Sequence, residues 1–221
     1  MKAVVIGATG ATGRQVVKHL LEADWISEVS VLVRKKSFEE QDKLQEHVVD
    51  FDQLSEYRQW IVGDVAFSCL GTTLKDAGSK EEQWKVDYTY QYNFAQLAYQ
   101  NGVSTFVLQS AINADASSKL FFSRMKGELE ENLKLIGFER LVLCKPSFLI
   151  RPNTKRTLEN IGVQLVYGLN KLGLLKSYSS LPVDLVAQAM VASVQTSTQR
   201  IYELGVHELL AFRAAQAHKP D

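Results

Sequence analysis

Two cysteines in 221 residues are too few to staple a fold. Cys69 and Cys144 stand apart in apolar runs and read as buried strand thiols, with neither disulfide framework nor metal-ligand spacing. An excess of one charge sign is also missing. Twenty-five Lys and Arg balance 25 Asp and Glu, so no global field selects nucleic acid or an anionic surface. The four histidines (His19, His47, His207 and His218) have no mutual spacing suited to a metal; no metal site is expected, and all four read as surface residues. No apolar run approaches membrane-spanning length, which argues against a membrane partner. Repeats and low-complexity segments are absent too. The chain enters an apolar strand directly after Met1 with no signal-peptide pattern, and the cytoplasm is the expected compartment.

What is present is ordinary globular composition, 46% hydrophobic and 23% charged. One domain over 1–221 is expected, with a dinucleotide-binding core at 1–150 and a small C-terminal helical lobe on the substrate side at 151–221. The organising stretch is at the N-terminus. Ala3 to Ile6 reads as a strand buried on both faces, and Val16, Val17, Leu20 and Leu21 mark one face of a following helix. Between them lies Gly7-Ala-Thr9-Gly10-Ala11-Thr12-Gly13. Strand, glycine turn and helix start form the first part of a dinucleotide-binding βαβ unit. One glycine allows the sharp turn, one admits a pyrophosphate, and one lets helix and strand pack closely. The N–H groups at the helix start then face the phosphates.

Further buried strands are read at Val29–Val33, around His47–Asp50, and at Val65–Leu70, Thr105–Gln109 and Arg140–Leu143. Helical segments alternate with them at 54–61, 81–100 and 118–136. This alternation predicts an α/β, Rossmann-type doubly wound parallel sheet with ligands across the carboxyl ends of the strands. Beyond Pro152 the spacing of Leu158, Ile161, Leu165, Leu169 and Leu172 predicts an apolar-faced helix that packs on the core. A loop follows at 173–180, then a helix with Leu185, Val186, Ala189, Met190 and Val194 inward. A last strand is expected at Ile201–Leu204, and a surface helix or frayed tail at His207–Ala217.

The strand ends supply the candidate binding residues. The second strand ends at Arg34, with Lys35 and Lys36 beside it, where an NAD binder usually offers Asp or Glu. A guanidinium holds a 2′-phosphate with two parallel bonds, which favours NADP over NAD; a solvated basic turn is the alternative. Asp50 and Phe51 end the third strand, where an adenine would sit. Asp50 equally suits a cap for the next helix. Leu70, Gly71 and Thr72 end the fourth strand, where small residues let the backbone approach the cofactor.

Together with Cys69 to Thr73, Ala77-Gly78, Val86-Asp87, Asn113 to Ser118, Lys126-Gly127-Glu128 and Lys145-Pro146, these stretches resemble the short-chain dehydrogenases/reductases. They are most similar to the atypical or extended branch, in its Tat-interacting-protein-like subgroup. That resemblance implies a serine, a tyrosine and a lysine, with Tyr-x-x-x-Lys on one helix face. The lysine lowers the tyrosine pKa and holds the nicotinamide ribose, the tyrosine is the acid or base, and the serine polarises the same oxygen. Ser110 and Lys126 match the serine and the lysine, and Pro146 matches the segment flanking the nicotinamide. The residue four before Lys126 is Phe122, which carries no proton to give. Ser110, a water, or one of Tyr88, Tyr90 and Tyr92 stands as a substitute. Two functions are therefore expected: reduction of a small carbonyl substrate with a modified proton donor, or an NADP(H)-binding regulatory module with a protein partner. A nucleic-acid partner is not expected, because no basic groove is legible.

Overall fold

The computed structural model describes residues 1–150, 180–196 and 198–217. Seven parallel strands form one sheet: β1 (Lys2–Ile6), β2 (Glu28–Val33), β3 (Leu44–Val48), β4 (Val65–Ser68), β5 (Thr105–Gln109), β6 (Arg140–Cys144) and β9 (Ile201–Leu204). Their spatial order is β3-β2-β1-β4-β5-β6-β9. The chain builds outward from β1 to β3, then returns to place β4 on the other side of β1. That reversal opens a crevice between the carboxyl ends of β1 and β4. A separate two-stranded pair joins β7 (Leu149–Ile150) to β8 (Leu181–Pro182).

The sheet is apolar on both faces, and each strand alternates between two cores. Val5, Val31, Phe67, Val107 and Val142 face α1 (Ala11–Glu22) and α6 (Val183–Thr196). Val4, Ile6, Leu32, Phe106, Leu108 and Leu143 face α4 (Tyr90–Gln100), α5 (Phe121–Ile136) and a 3₁₀ segment, Phe51–Trp60. Two short helices, α2 (Leu74–Ala77) and α3 (Lys80–Trp84), precede a π-helical turn at Lys85–Thr89 that runs directly into α4.

The segment after residue 180 is built into the sheet body. The inward residues expected for α6 are buried, and β9 extends the sheet beside β6. The expected tail forms α7 (Val206–Ala217), whose Leu209 is fully buried in the α1/α6 core. The apolar helix expected at 158–172 and the loop at 173–179 lie outside the described residues. His19 is not the surface residue expected. Its side chain is mostly buried, and its Nε2 lies 2.9 Å from Asp184 Oδ1, tying α1 to α6.

Candidate dinucleotide site

The glycine loop is fixed by crowding. Gly7 has φ +72°, and a Cβ on it would stand 2.3 Å from the Cys69 carbonyl carbon. A Cβ on Gly13 would stand 2.1 Å from the Gly7 carbonyl oxygen. These positions therefore exclude side chains for steric reasons, with or without a ligand. Gly10 is the N-cap of α1, and its own N–H donates to the Gly7 carbonyl oxygen at 3.0 Å. No side chain caps this helix, and its first turn holds no acidic residue. Its start thus presents N–H donors and the positive end of the helix dipole to the space in front.

That space is a cleft of about 650 Å³. It brings together Gly10, Ala11, Thr12, Leu70, Gly71, Thr72, Ser110, Lys126 and Pro146, all singled out in the sequence. Phe122 lines the same wall and is 42% exposed. The size is typical of cofactor and small-ligand sites. Uncapped donors and a cleft at the strand reversal together fit a bound dinucleotide.

The remaining expected residues lie elsewhere. Gly7 and Gly13 support the loop from behind, and Thr9 is exposed. Arg34 and Lys35 are exposed past the end of β2, outside the cleft lining, and neither has a charge partner among the described residues. Asp50 accepts from the Asp52 N–H at 2.9 Å, the capping alternative. Phe51 is buried, with its ring centroid 5.5 Å from that of Tyr90, and anchors the 3₁₀ segment in the core.

Around the expected catalytic pair, the structure adds buried charges that sequence reasoning did not assign to the site. Lys126, at 3% exposure, places Nζ 3.1 Å from Oδ1 of Asp87, which is 1% exposed. The other Asp87 oxygen accepts from the Thr72 N–H at 2.8 Å, so this carboxylate fixes both the lysine and the β4 loop. Gln91 secures the turn carrying Asp87: it donates to the Asp87 carbonyl at 2.7 Å and accepts from Ser68 Oγ at 2.8 Å. Ser110 Oγ lies 2.5 Å from Glu130 Oε1, and Glu130 Oε2 lies 2.9 Å from Lys145 Nζ. Lys145 also reaches Glu203 at 3.1 Å. Burial raises the Glu130 pKa, against the opposing pull of Ser110 and Lys145. Helical spacing offered a clue to Glu130, since Phe122, Lys126 and Glu130 recur at four-residue steps on α5.

No tyrosine lines the cleft among the described residues. The Tyr88 hydroxyl accepts from Asn132, Tyr90 donates to Asp52, and Tyr92 accepts from Gln96. The three proposed substitutes are thus engaged elsewhere. Cys69 borders the cleft, but burial pushes its thiol up to about 12, so it stays protonated and unreactive.

Fold and cleft define a dinucleotide-binding Rossmann protein. A family model described as NAD(P)H-binding matches residues 7–135. Protein HTATIP2 of Rattus norvegicus is 37% identical over 150 residues, covering 66% of this chain and 62% of the rat protein. Protein FMP52, mitochondrial, of Eremothecium gossypii is 35% identical over 152 residues, 68% of this chain and 67% of the relative. Protein FMP52-1, mitochondrial, of Scheffersomyces stipitis is 29% identical over 98% of this chain and 96% of its own length. The chain belongs to the NAD(P)H-binding family and groups there with the FMP52 proteins. Among solved structures, the UDP-glucose 4-epimerase of Thermus thermophilus in complex with NAD shares the fold. Its TM-score is 0.68 at 17% identity, with 100% of this chain and 85% of that one covered. MoeE5 with UDP-glucose and NAD gives a TM-score of 0.71 at 13% identity, over 98% and 82%.

These relatives correct one expectation. Several bear the word mitochondrial in their names, which overturns the assignment to the cytoplasm. The assignment rested on a missing signal-peptide pattern and the lack of a membrane-length apolar run, and a folded Rossmann domain suits more than one compartment. Among the described residues no helix is long and apolar enough to cross a membrane.

Proposed function

We propose that this chain binds NADP(H) across the glycine loop and reduces a small carbonyl compound, with Ser110 addressing the substrate oxygen. The observation that carries the reading is the uncapped start of α1 opening onto the cleft that also holds Ser110 and Lys126. The dinucleotide, when bound, supplies a hydride. The protein contributes backbone donors of Gly10 to Thr12 for the pyrophosphate and a close backbone approach at Leu70 to Thr72. Pro146 bounds the far wall. Arg34, and Lys35 beside it, supply positive charge for a 2′-phosphate, which is why we assign NADP over NAD. The mitochondrial names of the fungal relatives favour a mitochondrial setting, which cell fractionation checks.

Calorimetric titration with NADPH and separately with NADH tests the binding. Tight NADPH binding with much weaker NADH binding is expected. Equal affinities would reduce Arg34 to a surface charge, and no binding would sink the dinucleotide assignment. Phe122 favours a second reading, an NADP(H)-binding regulatory module without chemistry, because the proton donor of the related enzymes is missing from the cleft wall. Phe122→Tyr discriminates between them. With Lys126 already on the same helix face, the variant should gain NADPH oxidation on reactive carbonyl compounds; no gain would favour the module.

A further inference from the structure

We propose that Ser110, Glu130 and Lys145 form a proton relay that delivers to the cleft the proton a tyrosine at position 122 would have given. The proposal rests on the carbonyl-reducing reading above and supplies its missing acid.

The geometry is continuous from cleft to surface. Ser110 closes β5 and lines the cleft, yet is only 6% exposed. Its Oγ is 2.5 Å from Glu130 Oε1. Glu130 is itself 2% exposed and has no route to solvent except through its neighbours. Its second oxygen meets Lys145 Nζ, and Lys145 reaches the half-exposed Glu203 carboxylate at the edge of β9. Serine alone is a poor acid. A hydroxyl backed by a carboxyl group is a usable one, because the proton it gives up is replaced in the same step.

The charges facing Glu130 set its working state. Burial among the core of α5 and the Glu203 carboxylate from β9 favour the acid, while the Ser110 hydroxyl and the Lys145 ammonium just past β6 favour the carboxylate. The net direction is toward the acid, so Glu130 holds a proton to higher pH than an exposed glutamate does. Lys126 stands one helical turn away, but its charge is engaged by Asp87.

The step balances. A bound reduced nicotinamide dinucleotide would supply the hydride to the carbonyl carbon of the substrate; the Ser110 O–H bond would then break and its proton go to the substrate oxygen. The Glu130 carboxyl proton passes to Ser110 Oγ, which restores the hydroxyl. Glu130 is left as a carboxylate paired with the Lys145 ammonium. A solvent proton returns to Glu130 along the Glu203–Lys145 side, so one alcohol forms for one dinucleotide oxidised and one proton consumed. Glu130 acts only through Ser110 and touches no substrate.

The experiment uses the full chain and pairs an activity-independent measurement with turnover. Infrared difference spectra of wild type against Glu130→Gln, across a pH titration, should show a protonated carboxyl band persisting above the ordinary glutamate range. Lys145→Met should move that titration to still higher pH. With NADPH and a carbonyl panel led by benzaldehyde and diacetyl, Glu130→Gln should lower kcat about a hundredfold and flatten its fall toward high pH. Glu130→Asp should recover part of the rate, and calorimetric NADPH affinity should stay within about twofold of wild type, since the relay lies behind the cleft wall. A Glu130 that is carboxylate throughout, an unchanged kcat and pH profile in Glu130→Gln, or a wild type that binds NADPH yet reduces nothing on the panel would overturn the relay. Absence of NADPH binding in wild type, read separately by calorimetry, would overturn the dinucleotide reading beneath it.

Discussion

The two walls of the cleft are made of different material. The wall at β1 and α1 is backbone: Gly10 at an uncapped helix start, with Gly7 and Gly13 packed behind it, and no ionisable side chain among its lining residues. The wall at β5, β6 and α5 is buried charge, with Asp87 against Lys126 and Glu130 between Ser110 and Lys145. A backbone wall is specified by what must not be there, since a Cβ at Gly7 or Gly13 collides with main-chain atoms. A charged wall is specified by what must be paired, since an isolated ion in the interior is costly.

Each wall should therefore fail in its own way. The largest loss is expected from Asp87→Ala, which leaves the Lys126 ammonium buried without its carboxylate and the Thr72 N–H without its acceptor. Breaking a buried pair on one side costs about 3–5 kcal/mol, whereas replacing both partners by apolar residues of similar size is far milder. Urea unfolding should accordingly show Asp87→Leu with Lys126→Met to be more stable than Asp87→Ala. If the double variant is the worse of the two, the charged wall is held by more than pairing.

Gly13→Ala should come next. The added Cβ meets the Gly7 carbonyl oxygen at 2.1 Å and must push α1 off the loop. Overpacking of this kind costs about 1–3 kcal/mol, and the displaced helix start should lose dinucleotide binding outright. A thermal melt and calorimetry read the two effects separately. Retained binding would show that the backbone wall tolerates a shift.

A smaller and more selective effect is expected at Arg34. Its exposed guanidinium carries no charge partner among the described residues, so Arg34→Ala should leave stability alone. On the proposed assignment, removing a charge-assisted phosphate contact of about 1.5–3 kcal/mol weakens NADPH roughly tenfold to a hundredfold while NADH is unaffected. Equal weakening of both would move Arg34 away from the 2′-phosphate.

The smallest effect is a pH dependence of stability. The folded-state pKa of Glu130 is raised, so its contribution is fully present below the unfolded glutamate value near 4.5 and is lost as pH rises through the folded value. Wild type should therefore lose stability relative to Glu130→Gln as pH climbs through that window, as urea midpoints at successive pH values would show. A constant difference would mean that folding leaves the Glu130 proton affinity unchanged.

The backbone wall was legible in the chain because its cause is local. Gly7, Gly10 and Gly13 follow an apolar strand within seven residues, and the helix that uses them begins in the same stretch. The parallel sheet was legible as well, from strand-length apolar runs alternating with helical spacing. The charged wall was not. Asp87 and Lys126 are distant in sequence, as are Ser110 and Glu130, and Lys145 and Glu203. Val86-Asp87 stood among the stretches that carry the resemblance, but nothing in the helical segment at 81–100 showed that Asp87 would meet Lys126. The burial of Phe51 was not legible for a related reason: its place at a strand end suggested a ligand, and only the structure shows the adjoining 3₁₀ segment turning its ring into the core.

The sequence by itself determined the α/β architecture, the glycine loop and the absence of a tyrosine four residues before Lys126, because each is written in short-range spacing. Only the tertiary structure decided which charges meet. The β4–β5–β6 order brings α5 against the π-helical turn that carries Asp87, so that Asp87, Lys126 and Glu130 share a low-dielectric interior where each must find a partner, and β9 beside β6 adds the half-exposed Glu203 at the rim.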